Sequence, residues 1–216
     1  MRKLVVALTV ALLAVTACSR NGSEPSPSPT ATPETPPLEL TDGDLEGAVL
    51  TSSDAGEKWE AAKENAPSTV LIGGDVGPAN INVAQAEATS AFVEKEGTGY
   101  LTDTLLLMAD ETVARAVMAK HDESDSKQRW VQERNDGGGS VFKRTGRVAN
   151  LPTLGDESYS AALTVKVTDA DGVQTTRKVE YVAYRIRNLL AFVVTQNARA
   201  AVYALRQEAK VTRLVG

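Results

Sequence analysis

Apolar positions follow three regimes along this chain, and the boundaries between them set its organisation. Residues 4–15 form a continuous apolar run broken only by Thr9. Residues 19–37 hold, besides proline, nothing apolar larger than alanine. From residue 38 onward apolar residues recur with the periods of helices and strands.

In that last part, Leu40, Leu45, Val49 and Leu50 predict a first helical element over residues 38–50, with Thr41 as its N-cap and Asp42, Asp44 and Glu46 at its positive end. A short turn over 51–56 and Trp59 follow. Residues 66–78 read as a Gly/Pro loop, and 82–95 as a strand. Residues 100–108 end in four consecutive apolar side chains, which predicts a strand buried on both faces. Asp110 is expected to cap a helix to about His121, with Val113, Val117 and Met118 inward.

Strands are expected over 129–134 and 141–148, joined by a Gly-rich turn over 136–140. Tyr159, Ala161, Leu163, Val165 and Val167 alternate with smaller or polar residues, the period of a strand with one face on a core. Asp169-Ala170-Asp171-Gly172 closes a hairpin into a strand over 173–187. Arg187-Asn188 marks a tight turn before the apolar strand 189–195. Asn197 is the expected N-cap of a last helix, whose inner face carries Ala198, Ala201, Val202, Leu205 and Ala209. The pattern predicts a single α+β domain over 38–216, an antiparallel sheet with helices packed on one face.

The first regime changes the picture of where the domain works. Arg2 and Lys3 precede the apolar run, and Val15-Thr16-Ala17-Cys18 ends it with small residues before a cysteine. The run is well short of the roughly 20 residues a span needs, so residues 1–17 read as a secretory signal. The tetrapeptide is similar to the lipobox of bacterial lipoproteins, with Val15 in place of the preferred leucine. Cys18 is therefore the expected lipidation site, its two fatty chains holding the protein on the extracytoplasmic face of the cell membrane. It is the only cysteine, so it has no internal disulfide partner. Residues 18–37 are the lipidated cysteine and its tether. Six of the nine prolines and seven Ser or Thr lie there, a composition expected to stay disordered. The net charge of −5 becomes more negative once Arg2 and Lys3 are lost, which argues against nucleic acid as a partner.

Candidate chemistry is sparse. His121 is the single histidine, and its polar helix-end setting reads as solvation rather than catalysis. Gly73-Gly74-Asp75-Val76-Gly77 lacks the Lys-Ser/Thr of a phosphate loop, and Asp169-Ala170-Asp171-Gly172 lacks the closing glutamate of a calcium loop. Asp156-Glu157 are adjacent carboxylates, and as neighbours on a strand they are expected to point to opposite faces and not to converge. Arg129, Arg134, Lys143, Arg144 and Arg147 form a basic stretch that suits an anionic wall polymer, lipid headgroups or plain solvent. No cofactor, metal site or enzymatic constellation is expected. Trp59 and Trp130, both beside polar neighbours, are the candidate residues of a partly apolar ligand cleft.

The signal and stalk, the early helix with Trp59 beyond it, Leu154-Gly155-Asp156-Glu157 opening a strand, and the Val182-Ala183-Tyr184-Arg185-Ile186-Arg187-Asn188 hairpin together resemble a known family. It is the group of exported actinobacterial lipoproteins typified by the extracellular sensor domain of the mycobacterial kinase PknH. The resemblance implies a non-catalytic ligand-binding or sensing domain with a cleft for a small apolar molecule. That family's domain is disulfide-stapled, whereas here no cysteine follows Cys18. The alternative function is a structural or assembly partner of another envelope protein.

Overall fold

Two capping boxes open the domain. Thr41 starts helix α1 (Asp42–Ala48): its hydroxyl accepts the Asp44 N–H while the Asp44 carboxylate accepts the Thr41 N–H. Thr51 and Asp54 repeat the device at α2 (Ser52–Ala55). The structure, a computed structural model, describes residues 36–62, 84–124, 129–133 and 139–216, with side chains described outside 120–133, 140 and 142. Cys18, the tether, the 66–78 loop and most of the 136–140 turn lie outside the described residues.

Eight strands follow the expected order with one addition, the short β1 (Trp59–Ala61). The others are β2 (Ala86–Glu94), β3 (Tyr100–Leu107), β4 (Arg129–Glu133), β5 (Gly139–Gly146), β6 (Glu157–Thr168), β7 (Gln174–Ile186) and β8 (Leu189–Gln196). Helix α3 (Glu111–Ser124) separates β3 from β4, and α4 (Ala200–Val215) ends the chain. All strands pair antiparallel in one sheet, in the order β1-β2-β3-β8-β7-β6-β5-β4. The apolar runs of β3 and β8 pair with each other near the middle, where both sheet faces are covered.

Strand alternation sorts the core into two clusters. Leu101, Leu105, Val182, Tyr184, Ala191 and Val193 face α1, α2 and α4. Leu106, Leu163, Tyr181, Ala183 and Leu190 face the other way, against Ala114, Val117 and Met118 of α3. The α+β antiparallel fold is the expected one, but its layering is not: α3 lies on the opposite face from the other helices. The reason is the period of the strands themselves. Leu106 and Met108 at the end of β3 turn their side chains away from α4, and the helix that follows must cover them.

Local details follow from backbone needs. Asp110 caps α3, its carboxylate accepting the Val113 N–H at 2.8 Å. Asp169 closes the β6–β7 hairpin by accepting the N–H groups of Asp171 and Val173. Asn197 is not the N-cap of α4. It takes a positive φ of 60° in the preceding turn, Arg199 stands at the cap without a side-chain bond, and the Glu180 carboxylate from β7 accepts the Ala200 N–H at 2.8 Å. In the two-residue β7–β8 turn Arg187 has φ 55°, and Asn188 is wholly buried. Its amide accepts the Leu38 N–H at 2.7 Å and donates to the carbonyls of Leu38 and Met108. This one side chain therefore ties the first buried residue of the domain to the end of β3.

Candidate functional site

Three assemblies of polar and aromatic side chains stand out, each built from residues far apart in the chain. The first surrounds Arg185 on the α3 side of β7. Its guanidinium is almost fully buried. Nη1 lies 3.1 Å from Glu111 Oε1 at the start of α3 and 3.3 Å from Asp156 Oδ2, and Nε lies 3.3 Å from Glu157 Oε2. Nη1 also donates to the Arg187 carbonyl at 2.8 Å, and Asp156 Oδ2 accepts the Arg187 N–H at 2.7 Å. Asp156 and Glu157 do converge, contrary to the expectation from strand alternation. Asp156 sits before β6 begins, in the turn, so alternation does not bind it. Gly155 shapes that turn, with φ 54° and no room for a Cβ against the Arg185 carbonyl. The Glu111 carboxyl is held below its ordinary range, first by its hydrogen bond to Arg115 and then by the two guanidinium charges. Three partly exposed carboxylates from two stretches of chain meet on one buried guanidinium, an arrangement that ties the start of α3 to the start of β6.

The second assembly is buried under α4. Asp103 of β3 is wholly inaccessible; its carboxyl accepts the Leu50 N–H and contacts the side-chain amide of Gln207, itself buried. Burial pushes the Asp103 carboxyl up to about 8, against the opposing pull of the Leu50 N–H and the Lys210 ammonium. A neutral acid has an O–H to donate, and Gln207 Oε1 is a buried acceptor with no partner. The Gln207 amide donates from Nε2 to the Asp103 carboxyl. Lys210 itself bonds the Val49 carbonyl and Asp54 Oδ2. For Asp54, burial is outweighed by hydrogen bonds from Thr51 and Lys210, leaving its carboxyl at about 2.

The third assembly is aromatic and lies on the α3 side of the sheet. Tyr159 meets Tyr181 edge to face and Tyr181 stacks on Phe192, with centroids 6.0 and 6.3 Å apart. The Arg144 guanidinium lies 5.6 Å over the Tyr159 ring. Toward β3, Tyr100 is half-buried; its hydroxyl is raised by burial and opposed by the charge of Arg177, which bonds Gln196. Phe192, Tyr100 and Val167 are only partly covered, so this face carries both accessible apolar surface and two guanidinium groups.

The sequence-predicted residues distribute as follows. Trp59 is buried in the α4-side core, its indole N–H donating to the Tyr203 hydroxyl at 2.8 Å with the rings edge to face. Trp130 pairs with Phe142 through the backbone of β4 and β5; its side chain, like that of His121, is outside the described residues. The basic stretch does not form one patch. Neighbouring Lys143 and Arg144 point to opposite faces, as strand alternation requires. Among the described residues no cluster of three or more His, Cys, Asp or Glu can hold a metal ion, and no helix is long and apolar enough to cross a membrane. The aromatic row and the Asp103–Gln207 pair were not singled out in the sequence. Their members lie on different strands and helices, and only the period-two signal at Tyr159 hinted at the former.

No described protein family and no curated protein sequence matches the chain. Its fold is similar to the crystal structure of the extracellular domain of PknH from Mycobacterium tuberculosis. The TM-score is 0.56 at 11% identity, covering 82% of this chain and 98% of that one. At that identity the likeness is one of fold.

Asp103 yields a pH test. Its folded-state value of about 8 stands above the ordinary carboxyl value of 3.8, so the folded state holds the extra proton in between. The stability it contributes is full below the unfolded value and is lost as pH rises through the folded one. The wild type minus Asp103→Asn difference in melting temperature is expected to fall steadily between about pH 4 and pH 8. Parallel melting profiles for the two proteins would refute a neutral Asp103.

Proposed function

We propose that this protein is an extracytoplasmic binding or sensing domain, held to the cell membrane through acylated Cys18, that takes a small ligand with an apolar body and an anionic group. The observation that carries the ligand reading is the half-buried surface of Phe192, Tyr100 and Val167 over the buried rings of Tyr159 and Tyr181, with Arg177 beside it. Aromatic rings supply apolar contact area, and a guanidinium suits a carboxylate or phosphate. The fold shared with a kinase's extracellular domain supports the placement outside the cytoplasm, as do the signal-like first residues. The absence of catalysis is supported by the chemistry of the two buried polar assemblies. In one the carboxylates are tied to the Arg185 guanidinium, and in the other Asp103 and Gln207 are sealed from solvent.

Titration of the purified chain with naphthoate or palmitate tests the ligand reading. A ligand that binds only the folded state raises the melting temperature once its concentration exceeds its Kd. Phe192→Ala and Arg177→Gln are each expected to weaken that shift severalfold. If neither probe shifts the wild type, the ligand reading is wrong. The anchor has its own test: Cys18→Ala is expected to abolish lipid attachment, and a variant still cleaved and acylated would contradict it.

A further inference from the structure

The helices α1, α2 and α4 cover β1, β2, β3, β8 and the adjoining end of β7, and Val148 and Leu154 pack at the start of β6; no described helix packs on the same sheet face over β5 and the far ends of β6 and β7. Strand parity defines what that open face carries. Val182 and Tyr184 lie under α4, so Lys178 and Thr176 project on the same side. Their cross-strand partners are Thr164 and Lys166 on β6, which in turn face Lys143 and Val141 on β5. Two rows result: Lys143–Thr164–Lys178, and Val141–Lys166–Thr176.

Lys143, Lys166 and Lys178 are all exposed, and among the described residues none has an ion-pair partner. Two described carboxylates nearby are engaged elsewhere: Glu180 binds the start of α4 and Asp169 holds the hairpin turn. Strand spacing puts the stems of Lys143 and Lys178 about 10 Å apart, with Lys166 about 7 Å further along the strands. Three like charges gathered on an otherwise acidic protein repel one another, and an anion laid across them removes that cost.

We propose that this open face binds a linear phosphodiester polymer. Charge complementarity selects an anion, and the two-residue strand period of about 7 Å matches a chain with regularly spaced phosphates. The hydroxyls of Thr164 and Thr176, set between the lysines, hydrogen-bond its polyol. A bilayer is the poorer occupant, since membrane-surface binding uses large apolar side chains to enter the headgroup region and the described part of these rows offers only the half-buried Val141. The surface is separate from the aromatic row, which lies on the other face of the sheet.

The test is retention of the full chain, purified in detergent, on an immobilised glycerol-phosphate oligomer, with phosphatidylglycerol mixed micelles as a competing arm. Wild type is expected to bind the oligomer, and to bind it less as salt rises. The triple variant Lys143→Gln, Lys166→Gln, Lys178→Gln is expected to lose about tenfold in affinity with an unchanged melting temperature. A control replacing Lys95 and Arg213 with glutamine is expected to bind like wild type. No binding by wild type, an undiminished triple variant, an equal loss in the control, or binding to phosphatidylglycerol micelles alone would each overturn the proposal.

Discussion

Arg185 is the residue on which the two-sided arrangement rests. A buried guanidinium is costly unless its donors are met, and here they are met by three carboxylates from two separate stretches and by the Arg187 carbonyl. Glu111 brings the first turn of α3, and Asp156 and Glu157 bring the start of β6. The carboxylates remain partly solvated, so the cost of ion pairing falls mainly on the arginine. The clamp thus fixes a helix that would otherwise be held to its sheet face by a few apolar contacts from Ala114, Val117 and Met118.

That arrangement separates sealed polar groups from exposed ones. Under α4 the polar groups are sealed: Asp103 is neutral, Gln207 is buried, and Lys210 reaches inward to the Val49 carbonyl and Asp54. Beyond the reach of the helices the sheet is left with two different faces. One is aromatic with guanidinium groups at its borders, and the other is a flat array of lysine and threonine. A wide sheet covered only in part by helices leaves such faces available for partners without disturbing the core.

Much of the fold was legible in the sequence because its signals are local. The period-two pattern from Tyr159 to Val167, the Asp-Gly hairpin, the apolar run of β8 and the caps Thr41 and Asp110 all depend on neighbours within a few residues. What the sequence did not reveal depends on pairing across distance. The side of the sheet taken by α3 follows from the parity of β3, and β1 is three residues that become a strand only by pairing with β2. The α4 cap comes from Glu180, twenty residues away, so Asn197 was the plausible local reading. The convergence of Asp156 with Glu157 depended on where β6 begins, a boundary that sequence patterns set only to within a few residues. The two proposed binding surfaces were the least legible. Tyr159, Tyr181 and Phe192 come from three strands, as do Lys143, Lys166 and Lys178, and neither group forms a motif along the chain.

Hydrogen exchange of the α3 amides in Arg185→Met measures the clamp most directly. Methionine fills similar volume but leaves the three carboxylates to repel one another. Loss of these charge-assisted bonds is expected to cost about 2 kcal/mol, which lowers α3 protection by roughly thirtyfold. Protection across α4, on the opposite face, is expected to stay near wild type. Equal losses in α3 and α4, or undiminished protection of α3, would contradict a clamp that holds that helix to its side of the sheet.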